Sequence, residues 1–258
     1  MTLKTLLAAT AAFGFSAAAA QAAQVAALIG NDTIAIVDTD ARKVTKTMKV
    51  SGITGNILGI DVRPADNMLY ALAADGTVYT LGMDGKATIK SKLDTMLKPG
   101  VIATVDFNPA ADRLRVMGSD GTSLRVNVDD GKVITDGSHK YADNDANKGK
   151  TPRVGAGAYT NSVKGTKSTD LYNIDLATGA LVRQVPPNDG VLNTVGMLGV
   201  SPKMIAFDIW SDGAKNEAWA MTGVDLWSID LQTGKATKAA TIEGVKGEVK
   251  DIAVLPAM

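Results

Sequence analysis

Three aspartates follow similar apolar runs in this 258-residue chain and are its first candidates for chemistry. Asp61 lies in LGIDV, Asp106 in ATVDF and Asp208 in IAFDI. If these runs are equivalent strands around one axis, the three carboxylates converge. Converging carboxylates suit a hard cation such as calcium, or the acid and base of a glycoside hydrolase. An aspartate at a strand end before a turn also commonly accepts backbone N–H groups, which is a structural role.

Arginines form a second cluster, with Arg113 and Arg115 on one predicted strand and Arg125 on the next. Alternate residues of a strand share a face, so Arg113 and Arg115 point to the same side. Their guanidinium groups suit an anionic ligand held by paired hydrogen bonds. The alternative is a structural tie to a neighbouring sheet through Asp61, Asp106 or Asp112. We predict Arg113 and Arg115 as ligand-binding residues.

A polar insertion at residues 141–152 carries Asp143, Asp145 and Asn147 at alternate positions before Gly149. This spacing resembles the start of a calcium-binding loop. The glycine comes one position late, and Val154 stands where such a loop has its bidentate glutamate. We predict these three side chains as the candidate metal ligands and calcium as the candidate ion, with a solvated turn as the alternative. No other cofactor is expected.

A second insertion is predicted at residues 184–200, where amide and hydroxyl side chains collect between two repeats. Long insertions in compact domains are usually functional or disordered. We predict a neutral pocket for a sugar or peptide, or a cap on the end of the fold. The predicted ligand-binding residues of this surface are Tyr159, Asn161, Asn188, Asn193 and Thr194.

Several classes of enzyme and partner are excluded or disfavoured by composition. The chain has no cysteine and one histidine, and its formal net charge is zero. Thiolate catalysis and cysteine-ligated metals are therefore excluded, and no basic face for nucleic acid is expected. His139 lies in a turn, where we expect it to be exposed, and no Gly-x-Ser-x-Gly elbow accompanies it. The balance favours a protein that is not an enzyme.

The elements that position these residues come from a repeat. Residues 59–85 alternate strand-length apolar runs with turns, and residues 104–131 repeat the pattern. Asp-Gly between alternating apolar residues is a strong hairpin signal, so each unit reads as a four-stranded meander. Third-strand sequences recur at intervals of about 44 to 55 residues, the period of a propeller blade. The five copies begin at Ile34, Val78, Leu124, Leu171 and Leu226.

The first copy lacks a strand, because only residues 25–30 lie between it and the N-terminal segment that we interpret below as a signal peptide. The segment DIAVLPA, which begins at Asp251, has the pattern of an innermost strand and can supply the missing one. We therefore predict an all-β, five-bladed β-propeller closed by pairing the C-terminal strand with the N-terminal blade, which also covers exposed strand edges. The alternative is a pair of meanders or a sandwich, since both also give regularly spaced strands. In this alignment Ala158 and Val254 take the place of the aspartate in the other two blades.

Long motifs in the third and fourth repeats resemble a known family. They are DFNPAADRLRV from residue 106, AYTNS from residue 158 and PPNDGVLNTVGMLGV from residue 186. They resemble the secreted bacterial domain-of-unknown-function family 4394 (DUF4394) over nearly the whole mature chain. The resemblance implies an exported, repeat-built β-domain with no settled activity.

The N-terminus predicts export. Lys4 precedes an apolar run, and Ala20-Gln21-Ala22 offers a cleavage site, so residues 1–22 read as a signal peptide and residues 23–258 as one propeller domain. We expect a periplasmic or extracellular protein with no membrane span after cleavage. The function predicted from sequence is non-catalytic binding of a small ligand, a glycan or a protein partner on one ring face. The alternatives are a glycan-acting hydrolase that uses the channel aspartates and a cation-stabilised structural protein.

Overall fold

Five sheets, arranged as the blades of a propeller, make up the part of the chain that the computed structural model describes, residues 24–201 and 203–256. The predicted signal peptide lies outside these residues. Blade 1 begins with β1 (Gln24–Ile29), β2 (Thr33–Asp38) and β3 (Lys43–Lys49). Blade 2 comprises β4 (Ile57–Arg63), β5 (Met68–Ala73), β6 (Thr77–Leu81) and β7 (Ala87–Lys92). Blade 3 comprises β8 (Ala103–Asn108), β9 (Arg113–Gly118), β10 (Ser123–Val126) and β11 (Val133–Thr135).

Blade 4 has an additional strand on its outer edge. It comprises β12 (Lys140–Tyr141), β13 (Val154–Tyr159), β14 (Leu171–Asp175), β15 (Ala180–Gln184) and β16 (Val191–Met197), with a short 3-10 helix (Pro187–Asp189) between the last two. Blade 5 comprises β17 (Ala206–Ser211), β18 (Asn216–Thr222), β19 (Asp225–Ile229) and β20 (Ala236–Thr241). The last strand, β21 (Val249–Val254), returns to blade 1.

The predicted closure is confirmed by the sheet of blade 1, whose strand order is β21-β1-β2-β3. β21 runs antiparallel to β1, with Val25 opposite Val254 and Leu28 opposite Asp251. The C-terminal strand is therefore the innermost strand of the N-terminal blade. Pairing the two ends of the chain leaves β1 with a partner on both sides.

Repeated Asp-Gly turns form hairpins as the sequence predicts. Gly76 has φ +85°, a left-handed conformation that glycine adopts without steric cost. The Asp75 carboxylate accepts the Thr77 N–H at 2.9 Å and so satisfies the turn. Blade 3 repeats the arrangement with Gly121 at φ +92° and Asp120. The same local chemistry thus folds both copies of the repeat.

Apolar layers between neighbouring blades form most of the core. The layer between blades 2 and 3 is representative, because Tyr70 of β5 meets Phe107 of β8 edge to face with ring centroids 5.1 Å apart. Similar layers join blades 1 and 2, 5 and 1, and 4 and 5. Between blades 3 and 4, Met117 is the one blade-3 member of the buried apolar cluster among the described residues. A single blade cannot bury both faces, so these layers make the fold depend on the closed ring.

The prediction of an insertion at residues 184–200 is wrong in large part. The strand β16 occupies the centre of this segment and pairs with β15. β16 has a mixed burial pattern, with Leu192 buried and Met197 exposed. An outer strand that is open to solvent carries polar residues on that side, which is why the segment reads as a loop. No helix in residues 24–201 and 203–256 has the length and apolarity to cross a membrane.

We predict that removing β21 abolishes folding. A chain that ends at Gly247 loses the partner of β1 and the buried side chains of Val249, Ile252 and Val254. The expected loss of about 5 kcal/mol or more equals the whole stability of many domains, so the cooperative thermal transition followed by circular dichroism should disappear. A chain that ends at Pro256 keeps β21 and is the control. A cooperative melt of the shorter chain would contradict the closure.

Candidate functional site

The innermost strands bring Asp61, Asp106 and Asp208 together at the central channel. They lie on β4, β8 and β17 respectively. One carboxylate oxygen from each lies within 4.8 Å of those from the other two. All three side chains are buried, with 5–7% of each residue exposed. The convergence that the repeat predicted is therefore found, and it concentrates three acidic groups in one small volume.

Each of these carboxylates also bonds to the backbone of the next blade. An innermost strand has a strand partner on one side alone, so its channel-facing N–H groups need other acceptors. Three bonds of this kind link neighbouring blades: Phe107 N to Asp61 Oδ2 (2.6 Å), Tyr159 N to Asp106 Oδ1 (2.9 Å) and Val254 N to Asp208 Oδ2 (2.6 Å). These aspartates therefore have the structural role considered above, in which each carboxylate accepts a backbone N–H group.

A fourth carboxylate, Asp251 of β21, completes the pattern and was missed from the sequence. Its Oδ2 accepts the Ile60 N–H at 2.9 Å and so joins blade 1 to blade 2. The signal was available, because DIAV at Asp251 repeats the Asp-apolar pair of DV, DF and DI. The sequence alignment placed Val254 at the position of the aspartates and so left Asp251 out of the comparison. At the remaining junction, between blades 4 and 5, Asn161 N donates to Asn216 Oδ1 at 2.7 Å and the two side-chain amides are also bonded.

Burial raises the pKa of all four carboxyl groups. For Asp61 and Asp106 the pKa lies well above its ordinary value, first because of burial and second because a neighbouring aspartate repels the charge. Burial likewise raises the pKa of Asp251, and it raises that of Asp208 to about 6. Among the described residues, no lysine or arginine forms an ion pair with these four carboxylates. Their negative charge is offset by backbone N–H groups alone.

A cavity of about 340 Å³ opens at the end of the channel where the innermost strands finish. Asp61 and Asp208 line it, and Trp210 lies on the same face of β17 as Asp208 because the two are alternate residues. Ser162 and Lys164 come from the loop after β13, within three residues of Asn161. The remaining lining residues are Val62, Pro64, Asn67, Val163, Ile209, Ser211, Val254 and Pro256.

The carboxylate arrangement does not favour glycoside hydrolysis. The paired carboxyl groups of glycosidases lie about 5–5.5 Å apart in retaining enzymes and about 6.5–9.5 Å apart in inverting ones, on either side of an open cleft. Here the oxygens fall within 4.8 Å, and both oxygens of Asp61 and of Asp208 accept backbone N–H groups. These backbone hydrogen bonds hold the ring together, and carboxyl groups bound in this way are poorly placed to act as the acid and base on either side of a glycosidic bond.

The predicted ligand residues Arg115, Tyr159 and Asn188 meet in a network between blades 3 and 4. Arg115 is 1% exposed, and its guanidinium donates to Tyr159 Oη at 3.1 Å, Asn188 Oδ1 at 2.9 Å and the Asp136 carboxylate. Its carboxylate partner is therefore Asp136 rather than Asp61, Asp106 or Asp112. Arg113 lies apart from this network and donates to backbone carbonyls of its own turn.

The other predicted ligand residues are spread over separate contacts. Asn161 lies at the junction with blade 5, beside the channel-mouth cavity. Asn193 donates to the carbonyl of Val185 at 3.3 Å. Thr194 donates both its N–H and its hydroxyl to Asp145. The structure thus brings Asn161 to the ring face and places Asn193 and Thr194 on the outer part of blade 4.

The predicted metal ligands Asp143, Asp145 and Asn147 each make contacts with protein groups. Asp145 uses its carboxylate on Thr194 and on the Asn147 N–H at 2.8 Å. The Asp143 side chain is 98% exposed and pairs with Lys148 at 3.1 Å. The loop is therefore pinned to β16 by Asp145 and Asn147.

His139 is buried, with 7% of the residue exposed, so the expectation of an exposed imidazole is wrong. The backbone around it is bonded to both neighbouring blades, because His139 N donates to Gly121 O and Lys140 N to Gly190 O. This double attachment draws the turn into the junction. Burial and the nearby Arg115 lower the pKa of His139 to about 4, so it is neutral at physiological pH.

Comparison with known proteins relates the chain to others of unassigned function. The sequence profile of the family described as "Domain of unknown function (DUF4394)" matches residues 33–253. No curated protein sequence matches the chain.

Several crystal structures are similar to the chain. One is a protein of unknown function from Bacteroides thetaiotaomicron VPI-5482, with 15% identity and TM-score 0.52 over 92% of this chain and 65% of the other. A protein of unknown function from Bacteroides caccae has 14% identity and TM-score 0.47 over 88% and 77% of the two chains. The computationally designed Ika8 protein has 15% identity and TM-score 0.38 over 86% and 60%. The chain spans less than two thirds of the first and third of these proteins.

We predict that stability falls as pH rises through the titration of the channel aspartates. The folded pKa of Asp208, about 6, lies above its ordinary value of 3.8, so the folded state keeps a proton that the unfolded state releases between these values. Ionisation of Asp208 alone then costs about 2 kcal/mol of unfolding free energy between pH 4.5 and 7.5. Urea unfolding in chelator should show this fall, and Asp208→Asn should make it shallower.

The partly exposed Asp225 provides the matched control, because its hydrogen bond with Lys238 lowers its pKa. Asp225→Asn should leave the slope between pH 4.5 and 7.5 unchanged. Equal slopes for the wild type and Asp208→Asn would show that Asp208 is ionised throughout this range.

Proposed function

Because the chain belongs to the family described as "Domain of unknown function (DUF4394)", we propose a function from the geometry of the channel mouth. The protein is an exported β-propeller that binds a small organic ligand on one ring face and does not catalyse its conversion. The observation that carries this proposal is the cavity of about 340 Å³ lined by two buried carboxylates and a tryptophan. Its volume lies in the range of small-ligand sites, about 300–1,000 Å³.

The carboxylates favour a ligand that donates hydrogen bonds. Asp61 and Asp208 each accept two backbone N–H groups, whereas an ionised carboxylate has about four acceptor sites. The remaining lone pairs suit hydroxyl or ammonium groups. An ammonium group has a further advantage, because among the described residues no lysine or arginine forms an ion pair with these two carboxylates, and Lys164 is the one basic residue of the cavity lining.

Trp210 supplies the apolar side of the cavity. It is half-buried and packs against the layer between blades 5 and 1, so its indole is held in place. A rigid aromatic face gives a sugar or other ring a large contact area at low entropic cost. A hydroxylated ring that carries an amine therefore matches both sides of the cavity.

We predict that D-glucosamine binds more tightly than D-glucose, because its ammonium group meets Asp61 and Asp208. Isothermal titration calorimetry at pH 7.5 measures both. Trp210→Ala should weaken glucosamine binding about tenfold or more, as expected for a central tryptophan. Trp227→Ala is the control, since Trp227 faces the layer between blades 4 and 5 and does not line the cavity. Equal affinities of the two variants, or no binding of either sugar, would overturn the proposal.

A bound cation is the second candidate, and the close approach of the three carboxylates favours it. Calcium takes oxygen ligands at about 2.3–2.6 Å, and oxygens within 4.8 Å of one another can surround such an ion after small movements. Asp61, Asp106 and Asp208 would be its ligands. The ion would stabilise the ring by neutralising charge that raises their pKa values.

We predict for this candidate that 1 mM calcium raises the melting temperature of chelator-treated protein. A gain of about 2–3 kcal/mol is expected when the ion is present at 100 times its dissociation constant. Asp106→Asn should remove the gain, because Asp106 belongs to the triad and does not line the ligand cavity. Asp143→Asn should show the same rise in melting temperature as the wild type. Loss of the rise in this variant would instead place the calcium site in the loop at residues 141–152. An unchanged melt of the wild type would remove this candidate.

A further inference from the structure

A second cavity, of about 410 Å³, lies on the outer part of blade 3 and shares no residue with the channel mouth. It is lined by the start of β9, by β10, by the hairpin that leads into β11, by β11 itself and by one residue of the segment after β7. The lining residues are Asp94, Arg113, Arg125, Asn127, Asp130, Lys132, Val133 and Ile134. Polar and charged side chains therefore surround most of this cavity.

The register of blade 3 places three arginines on one face. Arg113 and Arg115 are alternate residues of β9, and Arg115 is directly opposite Arg125 of β10. Ile134 of β11 is opposite Arg125 and is 55% exposed, so the face is open to solvent at its outer edge. The face is thus buried at Arg115 and accessible at Arg113 and Arg125.

Positive charge exceeds negative charge around this cavity. Arg115 and Arg125 share the single carboxylate of Asp136, which Arg125 holds with two hydrogen bonds of 2.7 and 2.9 Å. Asp130 is 3.7 Å from the Lys132 ammonium group. The exposed Asp94 is the other carboxylate of the lining. The cavity lining therefore carries three cationic side chains and two carboxylates.

Arg113 is the cation that is free for a ligand. Its Nη1 donates to the carbonyls of Asp112 at 2.8 Å and Ala111 at 3.4 Å. The adjacent Asp112 carboxylate is committed to Arg63 at 2.6 Å. Among the described residues no carboxylate pairs with Arg113. Two backbone carbonyls thus hold its guanidinium while its remaining N–H groups are available.

We propose that this cavity binds an oxyanion, a phosphate or sulfate group, either free or as an ester on a sugar. Arginine binds such groups through paired, charge-assisted hydrogen bonds. Arg113 is the principal donor, Asn127 and Lys132 add donors, and Asp136 keeps the Arg125 guanidinium in a fixed orientation. The site is independent of the channel mouth, so the protein has two separate ligand sites of opposite preference.

Calorimetric titration of the mature protein at low ionic strength tests this site, with inorganic phosphate, inorganic sulfate and glucose 6-phosphate as probes. Arg113→Gln should weaken binding about tenfold or more, the cost of one charge-assisted hydrogen bond. Arg183→Gln is the control, because Arg183 is an exposed arginine of blade 4 that pairs with Asp170. The affinity of this variant for each probe should stay within about twofold of that of the wild type. Both variants should melt as the wild type does.

Binding of all three probes identifies the anion itself as the ligand, and binding of glucose 6-phosphate alone identifies the ester. Sodium chloride at 0.5 M should weaken either interaction, because salt screens exposed charges. Absence of binding by every probe, or equal affinities of the wild type and Arg113→Gln, would overturn the proposal.

Discussion

Backbone N–H groups that face the channel need acceptors, and carboxylates from neighbouring blades supply them. The innermost strand of each blade is the end of its sheet, so its free edge would otherwise leave buried donors unpaired. Asp61, Asp106, Asp208 and Asp251 each bond across one junction. The fifth junction uses the amides of Asn161 and Asn216 instead. The blades are therefore joined by polar contacts at the axis as well as by apolar layers farther out.

This solution concentrates acidic groups where solvent is scarce. Moving a carboxylate out of water is costly unless hydrogen bonds or charges compensate. The pKa values of the four aspartates are raised because backbone donors compensate only partly. A proton, a cation or a ligand ammonium group can offset the remaining charge. The feature that links the blades therefore also concentrates acidic side chains at the channel mouth, and this supports the proposal of a ligand that carries an ammonium group.

The junction between blades 3 and 4 is built differently. Arg115 occupies it with Tyr159, Asn188 and Asp136, and blade 3 contributes little apolar surface there. His139 is buried at the same junction. Breaking one member of such a network leaves a buried charge without its partner. Arg113, two residues before Arg115, is left outside the network and faces the cavity on blade 3.

The sequence by itself determined the number of blades, the Asp-Gly turns and the closure by the C-terminal strand. Each of these depends on local turn chemistry or on alternation within one strand. Gly76 and Gly121, for example, adopt the same left-handed conformation in two different blades. It also placed three aspartates at equivalent positions, from which their convergence followed.

Tertiary structure alone decided what those side chains contact. Whether Arg115 binds a ligand or Asp136, whether His139 is exposed, and whether Asp251 joins the ring all depend on the stagger and tilt of neighbouring blades. The segment with β16 was misread for the same reason, since one face of an outer strand takes its polarity from solvent. A repeat fixes where a residue lies within its blade, but contacts between blades join residues about 50 positions apart or more, and no local pattern encodes them.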